Sequence, residues 1–300
     1  MSEVDPNPPS GERARRHLAE AKLWCSPSHF YSPLPNTELL AQQRYHERTW
    51  PPQPYPMPGV DWRPEAQIAL CADVFASQEP LEFADEATDD PTEYTRASPN
   101  YPALDAWVLQ AFLRHLEPAR VIEVGAGYSS LVIARVNREL FGGAIQYTAI
   151  DPSPKPFIRV HLLPGLSELR VEEVQDTPLE VFEQLEAGDV LFIDTSHAVK
   201  TGGDVPWIYN QILPRLHPGV AVHLHDIFLP GEYPEGWVFQ GRAWNEMYLV
   251  QSFLAHNSAF EVLFGTYWMA EQHRDVLERA FPRLRDADTH VASSLWIRRV

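Results

Sequence analysis

The sequence predicts an α/β fold built on a mostly parallel sheet, and three observations carry that expectation. Short apolar, β-branched runs recur at 120–124, 144–151, 169–174, 189–194, 219–226, 260–264 and 293–300, seven strands in all. Segments with helical spacing of apolar residues lie between most of them, and strands alternating with helices imply parallel pairing with helices on both faces. The run ending at Val124 also breaks at Gly125 and Gly127 and passes directly into SSLVIARVNREL, which has the apolar spacing of a helix. Strand, glycine turn and helix present backbone N–H groups to a ligand.

Taken in order, residues 1–16 are polar and rich in Pro and Gly, the composition of a disordered tail. Residues 17–97 form an irregular extension dense in aromatics, among them Trp24, Phe30, Tyr31, Tyr45, Trp50, Tyr55 and Trp62. Its stretch TWPPQPYPMPG should be extended and semi-rigid. Such a segment makes no core of its own, so it is expected to pack on or cap the main domain, residues 98–300. Residues 77–94 read as an acidic surface loop. A helix over 101–116 places Leu104, Trp107, Val108, Phe112 and Leu116 on one face. Between the later strands, 178–186, 205–216, 243–256 and 275–281 read as helices, the second stopped by Pro218-Gly219.

Composition narrows the function. A formal net charge of −17 over 300 residues argues against nucleic acid or an anionic membrane as partner. The two cysteines, Cys25 and Cys71, have no metal or disulfide spacing. No apolar run is long enough to span a bilayer and the N-terminus lacks a signal-peptide pattern, so a cytoplasmic location is the expectation.

In open α/β sheets ligands bind beyond the carboxyl ends of the strands, which makes the strand-end residues the informative ones. After the first strand the third glycine of a dinucleotide fingerprint is replaced by Ser130, while Glu123 suits a cationic ligand better than a pyrophosphate. Asp151 ends the second strand, where a carboxylate accepts ribose hydroxyls. Asp176 follows the third strand, either near an adenine or as a helix cap. Asp194 ends the fourth strand with His197 three residues on, and His225-Asp226 end the fifth. Carboxylates and imidazole converging on adjacent strand ends suit a divalent ion. His223, inside the fifth strand on the same face as His225, reads as a buried, hydrogen-bonded or supporting histidine. The long aromatic loop after the fifth strand offers Arg242 and Glu246 to a substrate.

Glu123-Val124-Gly125-Ala126-Gly127, of the form E-x-G-x-G, resembles motif I of the class I S-adenosylmethionine-dependent methyltransferases. HLHDIFLP, at 223–230, is similar to a strand-end sequence of small bacterial methyltransferase-like proteins. The layout also resembles metal-dependent O-methyltransferases. That resemblance implies the Rossmann-like methyltransferase fold over residues 98–300, with S-adenosylmethionine against Glu123, Gly125, Ala126, Gly127, Ser129, Asp151, Asp176 and Asp194. It implies a divalent metal, Mg2+ or Mn2+ with Fe2+ as the alternative, on Asp194, His225 and Asp226, and His197 as general base. His225 departs from the pattern, which has a carboxylate there. The expected reaction is O-methylation of a small-molecule acceptor. The rivals are a non-haem iron oxygenase on the same fold, since two histidines and a carboxylate are at hand, and a non-catalytic binding subunit. Self-association is left open.

Overall fold

The computed structural model of the protein describes residues 26, 28–160, 163–286 and 292–300. The expected tail over 1–16 and Cys25 lie outside the described residues. The chain divides into two compact units. The larger comprises Met57–Leu229 and Asn245–Val300; the smaller comprises the described residues up to Pro56 together with Pro230–Trp244.

The larger unit holds a seven-stranded sheet: β1 Arg120–Val124, β2 Gln146–Ile150, β3 Glu168–Arg170, β4 Val190–Ile193, β5 Ala221–Leu224, β6 Phe260–Gly265 and β7 Leu295–Arg299. Its order is β3-β2-β1-β4-β5-β7-β6. Neighbours from β3 to β5 pair in parallel, and β7 runs antiparallel between β5 and β6. The expected strands are all present; β2, β3, β4, β5 and β7 are shorter than their apolar runs. The register aligns Val124 with Ile150 and Ile193, and Ile193 with Leu224. The carboxyl ends of β2, β1, β4 and β5 therefore form one row. The strand order reverses at β1, so the crevice of such a sheet opens there.

The expected helix over 101–116 is Ala103–Leu116 (α1), but it buries more than one face. Every residue from Leu104 to Leu113 is enclosed, Asp105 and Gln110 included. The cause is packing on several sides: Phe112 stacks on Trp296 of β7 at 4.0 Å between ring centroids, meets Phe75 at 5.1 Å, and Trp107 lies parallel to Phe281. A helix covered all round belongs to a core rather than a surface. Tyr128–Leu140 (α2) follows the glycine turn as expected. The segment over 205–216 is not one uniform helix: Asp204–Trp207 is α-helical, Ile208–Ile212 adopts π geometry and Leu213–Arg215 is 3-10. The helix over 243–256 is shorter, Glu246–Leu254 (α3), because Asn245 lies outside helical geometry at its start. The pattern reading overlooked a helix at Thr266–Gln272, which starts directly after Gly265, the last residue of β6, with no loop between them. No helix among the described residues is long and apolar enough to cross a membrane.

Candidate active site

The turn after β1 is built by backbone constraint. Gly125 has φ +90, and a Cβ there would stand 1.7 Å from the carbonyl oxygen of Asp194, so no side chain is tolerated. Gly125 N–H donates to Ile150 O at 2.9 Å and Asp194 N–H donates to Val124 O at 2.9 Å, which joins three strand ends. Ala126 N–H donates to Asp151 Oδ2 at 2.8 Å and Ser153 N–H to Oδ1 at 2.6 Å, fixing that carboxylate while each oxygen keeps a further lone pair.

Glu123 has another task than the direct ligand contact expected of it. It is 0% exposed. Ser129 Oγ donates to its Oε1 and Ser130 Oγ to its Oε2, both at 2.6 Å, and the Tyr147 hydroxyl donates to Oε2. Ser130 Oγ also accepts from Gly127 N–H at 3.0 Å. The carboxylate thus locks the glycine turn from behind, and Ser129 is spent on it rather than on a ligand. Burial raises the Glu123 pKa to about 7, against the pull of the three hydroxyl hydrogen bonds.

A cleft of about 430 Å³ opens at this row of strand ends, lined by Gly125, Asp151, Val174, Gln175, Asp194 and Ser196 among others. Asp176 is not among its lining residues. β3 stops at Arg170 rather than 174, so the residues reaching the cleft come earlier, at Glu173, Val174 and Gln175. Gln175 Nε2 donates to Gly202 O at 3.1 Å across it, and Asp204 accepts from Ser196 N–H and Oγ.

Asp194, His197 and Asp226 meet beside the cleft, and one ligand atom of each lies within 4.8 Å of the others. His197 Nε2 is 3.2 Å from Asp194 Oδ1 and 3.4 Å from Asp226 Oδ2, and Nδ1 is 3.0 Å from Glu246 Oε2. Burial lowers the proton affinity of His197. The hydrogen bonds to Asp194 and Glu246, with the charge of Asp226, outweigh burial and hold its pKa well above the usual imidazole value. Asp194 is pushed up by burial but brought below the carboxylate norm by His225 and His197. Both His197 (φ 54) and Asp226 (φ 55) adopt left-handed backbone, uncommon outside glycine and concentrated at functional sites. Ser293 Oγ donates to Asp226 Oδ1 at 3.0 Å.

With this geometry in place, residues 122–227, from β1 to the turn after β5, match a family profile described as "Methyltransferase domain". A protein of Archaeoglobus fulgidus described as uncharacterized is 31% identical over 170 residues, which cover 53% of this chain and 73% of that protein. The chain belongs to the class I S-adenosylmethionine-dependent methyltransferases. The methyltransferase is also similar to an O-methyltransferase from Bacillus cereus solved in complex with SAH. Identity there is 19%, covering 54% of this chain and 76% of that one, with a TM-score of 0.39. An SAH-bound methyltransferase from Podospora anserina is 15% identical over 89% of this chain and 98% of its own, with a TM-score of 0.41.

Three expected site residues stand elsewhere in the methyltransferase than their sequence positions implied. His225 is outside the converging group, its Nε2 3.9 Å from Asp226 Oδ1. Its ring lies 5.1 Å from that of Tyr101 and 5.7 Å from His223, because alternation along β5 turns it with His223 under the sheet. His223 is buried with neither ring nitrogen hydrogen-bonded, stacked at 3.9 Å on Phe192, and burial drives its pKa well below the usual value. The expected hydrogen bond is therefore missing. Arg242 belongs to the smaller unit, where its guanidinium lies 4.3 Å from the Trp237 ring centroid and 5.0 Å from that of Trp244. Glu246 faces His197 and Tyr209 with 1% of its surface exposed, closed to a substrate. Its distance of 49 residues from His197 leaves no local signal in the sequence.

Proposed function

We propose that this methyltransferase methylates a hydroxyl of a small molecule with the help of a divalent cation beside the cofactor cleft. One observation carries the reading: Asp194 belongs both to the cleft and to the group with His197 and Asp226. A cofactor in the cleft and a cation on Asp194 and Asp226 would share one residue, which supports an acceptor bound next to the transferable methyl. The carboxylates of Asp194 and Asp226 fit a divalent ion, and an imidazole among the ligands would favour manganese or iron over magnesium. When bound, the cation orients the acceptor hydroxyl and lowers its pKa. Asp151, held by two backbone N–H groups, accepts the ribose hydroxyls. Gly125 lets the cofactor approach the backbone. With a cation on Asp194 and Asp226, those carboxylates would no longer hold a proton on His197 Nε2, and the ring could take the proton of a hydroxyl presented there. A second reading makes His197 Nε2 a ligand of the cation, favoured by the three ligand atoms lying within 4.8 Å of one another.

Mn2+ and SAH titrations of the wild type, Asp194→Asn and His197→Gln separate these. Asp194→Asn should lose Mn2+ binding. His197→Gln should keep Mn2+ and lose roughly 10²–10⁴-fold in kcat if the residue is a base, or lose Mn2+ if it is a ligand. The reaction itself is tested by incubating the protein with S-adenosylmethionine, Mn2+ and a metabolite extract, and searching for products heavier by one methyl. Methylated nitrogen or carbon, or turnover indifferent to chelator, sinks the proposal.

A further inference from the structure

We infer that Glu246 is a positioning residue for His197: it holds the proton on Nδ1 and thereby turns Nε2 toward Asp194 and Asp226. The inference rests on the reading of His197 as the working imidazole of the site. Glu246 Oε2 is 3.0 Å from His197 Nδ1, and Tyr209 Oη donates to Glu246 Oε1 at 3.3 Å. The carboxylate is 1% exposed, and a charge withdrawn from water that far is sustained only by hydrogen bonds and opposite charge. Glu246 opens α3, a nine-residue helix whose N-terminal end favours an anion.

The backbone reinforces the couple. Asn245 and Glu246 both donate their N–H groups to His197 O, at 3.0 and 3.2 Å, and Val199 N–H donates to Asn245 Oδ1 at 2.6 Å. The loop after β4 is thus tied to the start of α3, and His197 keeps its left-handed φ of 54. A neutral imidazole carries one proton, on either nitrogen. Were it on Nε2, the ring would donate toward Asp194 and Asp226, leaving no lone pair there for a cation or for a hydroxyl proton. Without a cation Asp194 and Asp226 accept at Nε2 as Glu246 does at Nδ1. Were a cation to take those two carboxylates, Glu246 would be the acceptor left and would keep the proton on Nδ1, as carboxylate partners do for metal-bound histidines.

The test compares two substitutions of similar volume in the full-length protein. Glu246→Gln keeps an oxygen acceptor at Nδ1, whereas Glu246→Met removes it. His197 is followed by long-range 1H–15N spectra of histidine-labelled, metal-free protein, its signals assigned by their loss in His197→Gln. Mn2+ and SAH affinities are measured on the same samples. Nδ1 should stay protonated in the wild type and Glu246→Gln and lose that proton preference in Glu246→Met. If His197→Gln loses Mn2+, Glu246→Met should lower Mn2+ affinity roughly 10–100-fold with partial rescue in Glu246→Gln; if His197→Gln keeps Mn2+, both Glu246 variants should keep it too, and SAH affinity should be unchanged in every case. Equal Nδ1 protonation in both variants, with altered melting temperature alone, overturns the role. A wild type that binds no Mn2+ overturns the metal reading instead, and the Nδ1 proton then decides the Glu246 assignment by itself.

Discussion

At the scale of single residues, Glu123 and Gly125 do different work from the same motif. Glu123 is a carboxyl whose pKa rises from 4.5 to about 7 on folding. The folded state therefore binds more protons than the unfolded chain between those values, and the Glu123 contribution to stability is lost as pH rises from 4.5 to 7 and is constant above. That rise corresponds to on the order of 3 kcal/mol. Glu123→Gln, neutral throughout, should gain stability relative to the wild type across that window. Parallel denaturation midpoints for the two proteins at pH 4.5 and pH 8 would refute the buried-acid account. Gly125→Ala meets two obstacles at once, a φ of +90 and the Asp194 carbonyl 1.7 Å from the new Cβ. It should destabilise the fold by at least 1–3 kcal/mol and abolish SAH binding, because relief requires moving the ends of β1 and β4. Calorimetry with SAH on folded Gly125→Ala checks it, and wild-type affinity would show that the turn has slack.

At the scale of elements, the loop after β4 is held at its base by the first residues of α3. Asn245→Ala removes the acceptor for Val199 N–H at 2.6 Å and should cost about 1 kcal/mol of local stability. Hydrogen exchange over 197–200 should accelerate about fivefold, with the strands unchanged; uniform acceleration would mean that the clamp serves the whole fold. This element also marks where sequence reading stops. Asp194, His197 and Asp226 were legible because each follows an apolar strand, and the strand-end rule makes that place chemical. Asp151 was legible for the same reason. Asp176 was misplaced because β3 is a three-residue edge strand, half exposed, so its apolar run does not mark its end. His225 was misassigned because two adjacent strand-end residues cannot both face the site when side chains alternate. The couple of His197 with Glu246 and Tyr209 was invisible, since sequence separations of 49 and 37 residues carry no periodicity.

At the scale of the whole sheet, the reversed strand β7 is anchored by a charge on a helix far away in sequence. Asp105 of α1 is fully buried and accepts from Ser293 N–H and Ser294 N–H at 3.0 and 3.1 Å and from Ser294 Oγ at 2.6 Å. These serines lead directly into β7, which is inserted between β5 and β6. Ser293 reaches the site as well, donating its hydroxyl to Asp226 Oδ1 at 3.0 Å. The same short segment thus has a structural anchor on one side and a chemical contact on the other, and two substitutions should separate them. In Asp105→Asn one oxygen becomes an NH2 that faces an N–H or hydroxyl donor whichever way the amide turns. That mismatch should cost roughly 2 kcal/mol and lower Tm by roughly 4–8 °C. Ser293→Ala leaves the backbone bonds to Asp105 in place and removes the hydroxyl from Asp226. It should shift Tm little while weakening Mn2+ severalfold, because Asp226 loses the donor that fixes its rotamer. Paired Tm and Mn2+ titrations on both variants decide the matter. If Ser293→Ala lowers Tm as far as Asp105→Asn and leaves Mn2+ untouched, the serine belongs to the scaffold alone and Asp226 is held by its left-handed backbone.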